Sequence, residues 1–231
     1  MFNTLADTYA YLFAYFAVVI LTFVAQIKVK SNYATYSRMR TATGYSGAEV
    51  AQKVLEQNGV FGVSIERVKG QMTDHYDPRT NTIRLSEGVF DVSTIAAAGI
   101  AAHEAGHAVQ YAKGYAPVKF RTAILPLCQL GSNLVGPLLL IGLILSIFEL
   151  MILGIAFFGI ATFFQLVTLP VEFNASKRAM TAISSGYILR EDEQIGARKM
   201  LSSAALTYVA ALAVSLLNLL RFISIVNSRR R

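Results

Sequence analysis

The chain has 231 residues, 54% of them apolar and only 15% charged, with 21 Lys and Arg against 14 Asp and Glu for a net charge of +7. With a mean hydropathy of +0.48, this composition excludes an ordinary soluble domain. It also gives no sign of a nucleic-acid partner, because the basic residues cluster at the ends of apolar runs and no aromatic–basic platform accompanies them.

The first charge-free run is Thr8–Ile27, 20 residues long, about the length a helix needs to cross the hydrocarbon core. Asp7 precedes it, no Lys or Arg does, and no small-residue cleavage site follows. Residues 1–27 are therefore expected to be a retained membrane anchor, not a cleaved signal. Lys28, Lys30, Arg38 and Arg40 lie just after it, so the positive-inside rule places the N-terminus outside and residues 28–121 in the cytoplasm.

That segment is long enough for a small α+β domain. Ser46 reads as an N-cap for a helix over Gly47–Gln57, with Val50, Val54 and Leu55 at helical spacing and Gly59 as the stop. Val60–Val68 alternates like a strand. Asp77-Pro78-Arg79-Thr80-Asn81 is a strong turn leading into a short strand, Thr82–Ser86. Residues Ile83, Arg84, Leu85 and Ser86 are expected to form an exposed edge that pairs with an extended substrate through main-chain hydrogen bonds; a plain structural hairpin is the contrary reading. His75, inside Asp74-His75-Tyr76-Asp77-Pro78, is a candidate oxyanion donor, although a turn histidine bonded to a neighbouring carboxylate is the commoner case. Tyr76, Tyr187 and Arg198 are further candidates, unranked by sequence.

A long helix, capped by Asp91 or Ser93, then runs through the apolar stretch Ile95–Val109 and ends at Gly114. It carries His103-Glu104-Ala105-Gly106-His107, two of the chain's three histidines. At i,i+4 both imidazoles share one helix face, about 5–6 Å apart at Cβ, and each can approach zinc at about 2.0–2.1 Å. Glu104 then reaches the water, not the metal, as a general base. The surrounding alanines and glycines also suit a tightly packed core helix, but two buried imidazoles and a carboxylate need partners, which a metal supplies.

Three further charge-free runs follow: Thr122–Phe148, Leu150–Val171 and Met200–Leu220, of 27, 22 and 21 residues. Residues 122–171 read as a transmembrane hairpin, 172–199 as a returning cytoplasmic helical segment, and 200–231 as a fourth span with a basic tail. Segments 28–121 and 172–199 hold twelve and five of the 21 Lys and Arg, so topology accounts for the net charge. Arg229, Arg230 and Arg231 would lie outside and break the rule, unless the fourth segment, with Thr207, Ser215 and Asn218, stops short of crossing. The lone Cys128 lies in an apolar run and excludes a disulfide or a cysteine-ligated zinc within one chain.

A catalytic zinc site wants three protein ligands and an open position. The metzincin pattern fails, because positions 110 and 113 are Gln and Lys. Glu149 falls on the wrong side of the membrane. Glu172 follows the hairpin, and an even number of crossings returns it to the surface that carries His103 and His107. Glu172 is thus the expected third ligand, ahead of His75 and of Glu191, Asp192 and Glu193, which read as a solvated acidic turn.

With Ser46-Gly47-Ala48-Glu49, Asp74-His75-Tyr76-Asp77-Pro78, Ala102-His103-Glu104-Ala105-Gly106-His107-Ala108-Val109-Gln110, Val171-Glu172-Phe173-Asn174-Ala175-Ser176 and Ala204–Ala210 in view, the chain resembles the YugP-like neutral zinc metallopeptidases of bacterial membranes. The resemblance implies a mainly α, multi-pass protein of the cell membrane with a cytoplasm-facing, gluzincin-like site. It implies one Zn2+ per chain on His103, His107 and Glu172, with Glu104 as base. The arrangement also looks like the HtpX and CAAX-processing membrane peptidases, whose Glu-x-x-Ala-Asp follows a hairpin. Here Ser176 stands where they have Asp, which leaves Asn174 or an upstream acid to orient a histidine. The motif segment is similar to that of FtsH, without its P-loop, and the Asp-Gly element of site-2 proteases is missing. The expected partners are the lipid bilayer, a protein or peptide substrate, and further membrane proteins. Two other classes compete. A non-catalytic scaffold or chaperone with a structural zinc would not need Glu104, and a transporter would carry ionisable residues deep in its spans.

Overall fold

The computed structural model describes residues 5–229. The protein is a mainly α membrane protein, with four helices long and apolar enough to cross a membrane and one three-stranded sheet. Its elements are α1 (Leu5–Tyr36), α2 (Gly47–Gln57), β1 (Ser64–Val68), β2 (His75–Asp77), β3 (Thr82–Ser86), α3 (Ile95–Ala112), α4 (Ala116–Ile144), α5 (Phe148–Ser185) and α6 (Glu191–Arg229). Three of the four expected spans lie inside longer helices, and α5 and α6 reach 38 and 39 residues; Thr122–Phe148 overruns α4, which stops at Ile144, because its last residues make the turn into α5. Of the basic tail, Arg230 and Arg231 lie outside the described residues.

The chain divides into two compact units. One comprises Met1–Ala25, Phe120–Leu169 and Thr207–Arg231. Its outward faces are built of large apolar residues such as Phe13, Phe16, Ile144 and Leu145, the composition that lipid tolerates. Helices α4 and α5 form a tight hairpin whose turn residue Ser146 has a positive φ of 55°. Their contact runs over small residues: a Cβ at Gly131 would stand 3.0 Å from the Phe157 ring, and one at Gly154 3.0 Å from Leu139. Within α6, the Ser215 hydroxyl donates to Gln165 Oε1 at 3.0 Å. A polar residue in the fourth apolar run is thereby satisfied by a neighbouring helix.

The other unit comprises Gln26–Lys119 and Pro170–Leu206. Helix α2 opens as expected on Ser46, in a capping box with Glu49, and Gly59 ends it at φ +63°. Its buried Val50, Val54 and Leu55 join Ile83, Leu85 and the alanine face of α3 in one core, which Ile183, Ile188 and Leu189 complete. The strand order is β1-β3-β2, with β3 parallel to β1 and antiparallel to β2. This corrects the expected exposed edge: Ile83, Arg84, Leu85 and Ser86 belong to the central strand, which has a partner on each side and cannot receive a substrate strand. Ile83 and Leu85 are core residues. Past the end of β2 the Asp74 carboxylate accepts from Ser86 N and Oγ at 2.7 and 3.0 Å, and Arg84 bonds Asp77 and Thr80. Strand β2 escaped the sequence reading because three residues show no alternation, and β1 starts four residues later than expected. The turn between β2 and β3 is held by Asp77, whose Oδ1 accepts from the Arg79 backbone at 3.0 Å. That bond and the Arg79 and Arg84 side chains lower its pKa to about 2.

Helix α3 is capped by Thr94, whose hydroxyl accepts from Ala97 N at 3.3 Å, not by Asp91 or Ser93. Asp91 pairs with Arg67, and the Ser93 carbonyl accepts from Thr41 N. Gly114 terminates the helix at φ +66°. The acidic start of α6 is not a solvated turn throughout: Glu193 is buried, and its carboxylate accepts from Ala42 N and Arg190 N at 2.7 and 2.8 Å. It is committed to capping α6 and tying down the 41–43 loop.

Candidate metal centre

Helix α3 meets the Glu172 end of α5 without side chains between them at one point. A Cβ on Gly106 would lie 2.7 Å from the Ala175 carbonyl oxygen, a backbone atom that cannot step aside, so only glycine admits this approach. The small residues of the motif segment are therefore packing residues after all, and that packing is what brings its imidazoles to Glu172. His103 and His107, one helical turn apart, have ring centroids 4.7 Å apart and planes at 83°. Their Nε2 atoms lie 3.3 and 3.6 Å from Glu172 Oε2, and one nitrogen or oxygen from each of the three residues falls within 4.8 Å of the others. Glu172 is buried and both histidines are partly so.

The opposite ring nitrogens are held as well. Ser176 Oγ lies 3.2 Å from His103 Nδ1, and Gln110 Oε1 lies 3.0 Å from His107 Nδ1. The fully buried Gln110 donates in turn to the Val171 carbonyl at 2.7 Å and to Asn174 Oδ1 at 3.0 Å. Asn174 also accepts from Arg178 Nε at 2.8 Å. Among the described residues no acid holds either Nδ1: a hydroxyl and an amide do so, and Asn174 acts one bond further out. In the sequence Gln110 stands as the wrong residue for a metzincin and as the end of the extended histidine motif, with no role of its own; its i+3 spacing from His107 is the signal for a ring partner.

The donor set fits zinc. Ligand atoms about 2.0–2.1 Å from a tetrahedral centre stand about 3.3–3.4 Å apart, close to the separations here. Burial disfavours charge on His107, yet its hydrogen bond to Glu172 and the carboxylates of Glu104 and Glu172 outweigh it and hold its pKa above the usual value. Glu104, partly buried beside His103, is not among the three clustered side chains. Gln110→Ala is expected to lower zinc affinity about 10–100-fold, measured by competition with a chelator; an unchanged affinity would show that the His107 ring needs no such support.

The other candidates lie elsewhere. His75 is in β2, exposed, with Nδ1 2.8 Å from the Thr73 carbonyl, so a backbone oxygen and not a carboxylate is its partner. Tyr76 donates to Asn81 Oδ1 at 2.8 Å and packs on Tyr111. Tyr187 is 84% exposed, and Arg198 is exposed.

Fold and cluster together define a mainly α membrane protein in which His103, His107 and Glu172 are placed so that they could hold a metal ion. Residues 11–227 match the family described as "Putative neutral zinc metallopeptidase", and the chain belongs to that family. It is also 46% identical over 215 residues to a Bacillus subtilis (strain 168) protein described as "Putative membrane protease YugP", covering 93% of this chain and 96% of that one. No solved structure matches significantly.

Proposed function

We propose that the protein is a zinc endopeptidase of the cell membrane that hydrolyses peptide bonds of membrane-associated proteins or peptides at the cytoplasmic surface. The observation that carries this reading is the convergence of two imidazole nitrogens from α3 and one carboxylate oxygen from α5. His103, His107 and Glu172 would hold the ion in a gluzincin-like set. When bound, zinc supplies Lewis acidity for water and for the scissile carbonyl.

The rest is done by the chain's own groups. Ser176 and Gln110 fix the Nδ1 side of each imidazole, which leaves both Nε2 lone pairs directed at one point. Glu104 takes a proton from the attacking water and delivers it to the departing amine nitrogen as the C–N bond breaks. The products are a carboxylate and an amine.

The distribution of Lys and Arg supports the cytoplasmic assignment. In this reading residues 1–27 anchor the chain, 28–121 and 172–199 form the cytoplasmic zincin-like part, 122–171 form the membrane hairpin, and 200–231 form the last span and tail. The activity test is digestion of a membrane-protein mixture, with cleavage stopped by a chelator and restored by zinc; chelator-resistant cleavage would refute the reading. In a Cys128→Ala background, Thr80→Cys and Arg190→Cys should both label from the cytoplasmic side with an impermeant thiol reagent, and labelling on opposite sides would break the topology.

A further inference from the structure

We propose that the cleft between the end of α2 and the face of α5 beyond Glu172 binds a phosphate group, and that its occupant steadies the hydrogen-bonded chain behind His107. The cleft encloses about 400 Å³, the scale of a small-ligand site. Asn174, Lys177, Arg178, Thr181 and Ser185 line it from α5, and Gln57 and the capping Asn58 from the end of α2, with no carboxylate in its wall. Among the described residues neither Lys177 nor Arg178 takes part in a salt bridge.

Two cations, two hydroxyls and three amides therefore line one space without a carboxylate among them. Asn58 Nδ2 is spent on the Val54 carbonyl and Arg178 Nε on Asn174 Oδ1, but the Lys177 ammonium, the remaining Arg178 N–H groups and the hydroxyls are left. That is more donor capacity than the two oxygens of a carboxylate accept, and it suits the several oxygens and the charge of a phosphate. Position along α5 agrees. Lys177 and Arg178 stand five and six residues beyond Glu172, about 8–9 Å along the axis. A membrane whose core ends at Val171 would place its headgroups at about that depth. A lipid headgroup and free phosphate share this chemistry.

The cleft is wired to the metal cluster. Arg178 Nε holds Asn174 Oδ1, Asn174 Oδ1 receives Gln110 Nε2, and Gln110 Oε1 lies 3.0 Å from His107 Nδ1. An anion that immobilises the Arg178 guanidinium orders this relay from its outer end. The coupling rests on His107 being a zinc ligand; binding in the cleft does not.

The test uses the full chain in a non-phospholipid detergent, stripped of zinc, titrated calorimetrically with inorganic phosphate in one arm and with phosphatidylglycerol mixed micelles in the other. Saturable binding is expected in at least one arm, weakened about tenfold by Lys177→Gln and by Arg178→Gln. Binding in the lipid arm alone identifies a headgroup, and binding in the phosphate arm identifies a soluble anion. Absence of binding in both arms, or binding that Lys177→Gln leaves unchanged, overturns the proposal; Lys177 is exposed, so that variant does not threaten the fold. With zinc restored, the ligand should slow zinc loss to excess chelator severalfold in the wild type but not in Gln110→Ala, which cuts the relay at a residue outside the cleft wall, and equal slowing in the two proteins overturns the coupling. Zinc that never binds, beside intact phosphate binding, sinks the metal reading and leaves the cleft standing.

Discussion

Glu104→Gln protein is expected to retain one zinc per chain and to lose about 10²–10⁴-fold in kcat/KM for peptide cleavage. The substitution keeps the size of the side chain and its hydrogen-bonding reach but removes the basic oxygen. Because Glu104 is not one of the three clustered side chains, metal content should survive. The two readouts separate the roles. Unchanged cleavage would place the base elsewhere, and loss of zinc would make Glu104 part of the metal's hold. The same variant discriminates against a non-catalytic scaffold, which has no use for a base at this position.

Glu172→Ala should cost zinc affinity more than the roughly 10–100-fold that loss of an outer partner brings, because it takes the third of the three proposed ligands from a site that needs three. The carboxylate is buried between the two imidazoles, with no carboxylate from Glu193 to replace it, since that group is bound to Ala42 N and Arg190 N. The aliphatic core of the same unit is made of other residues, so helical content should be kept while metal is lost. Titration of the zinc-free protein with zinc against a competing chelator measures the effect. Full retention of the metal would move the third ligand to another side chain.

Much of this was legible one segment at a time. The apolar runs, the Ser46–Glu49 cap, the Gly59 and Gly114 stops and the i,i+4 histidine pair are local patterns, set by side chains within a helical turn or two of one another. Even the choice of Glu172 needed only a count of crossings, which is a property of chain order. What the sequence by itself determined, then, is the set of helices and the placement of two imidazoles on one face.

Tertiary structure decided what those faces meet. Strand β3 became central because β2, too short to show a period, closes its second side; Glu193 turned inward because the 41–43 loop, about 150 residues away in the chain, presents an N–H to it. Ser176 acquired His103, and Gln110 acquired Val171 and Asn174, through the same cause. Gly106 lets two backbones approach within a distance no side chain permits, and contacts between residues 60 or 70 positions apart leave no periodic trace in either segment alone.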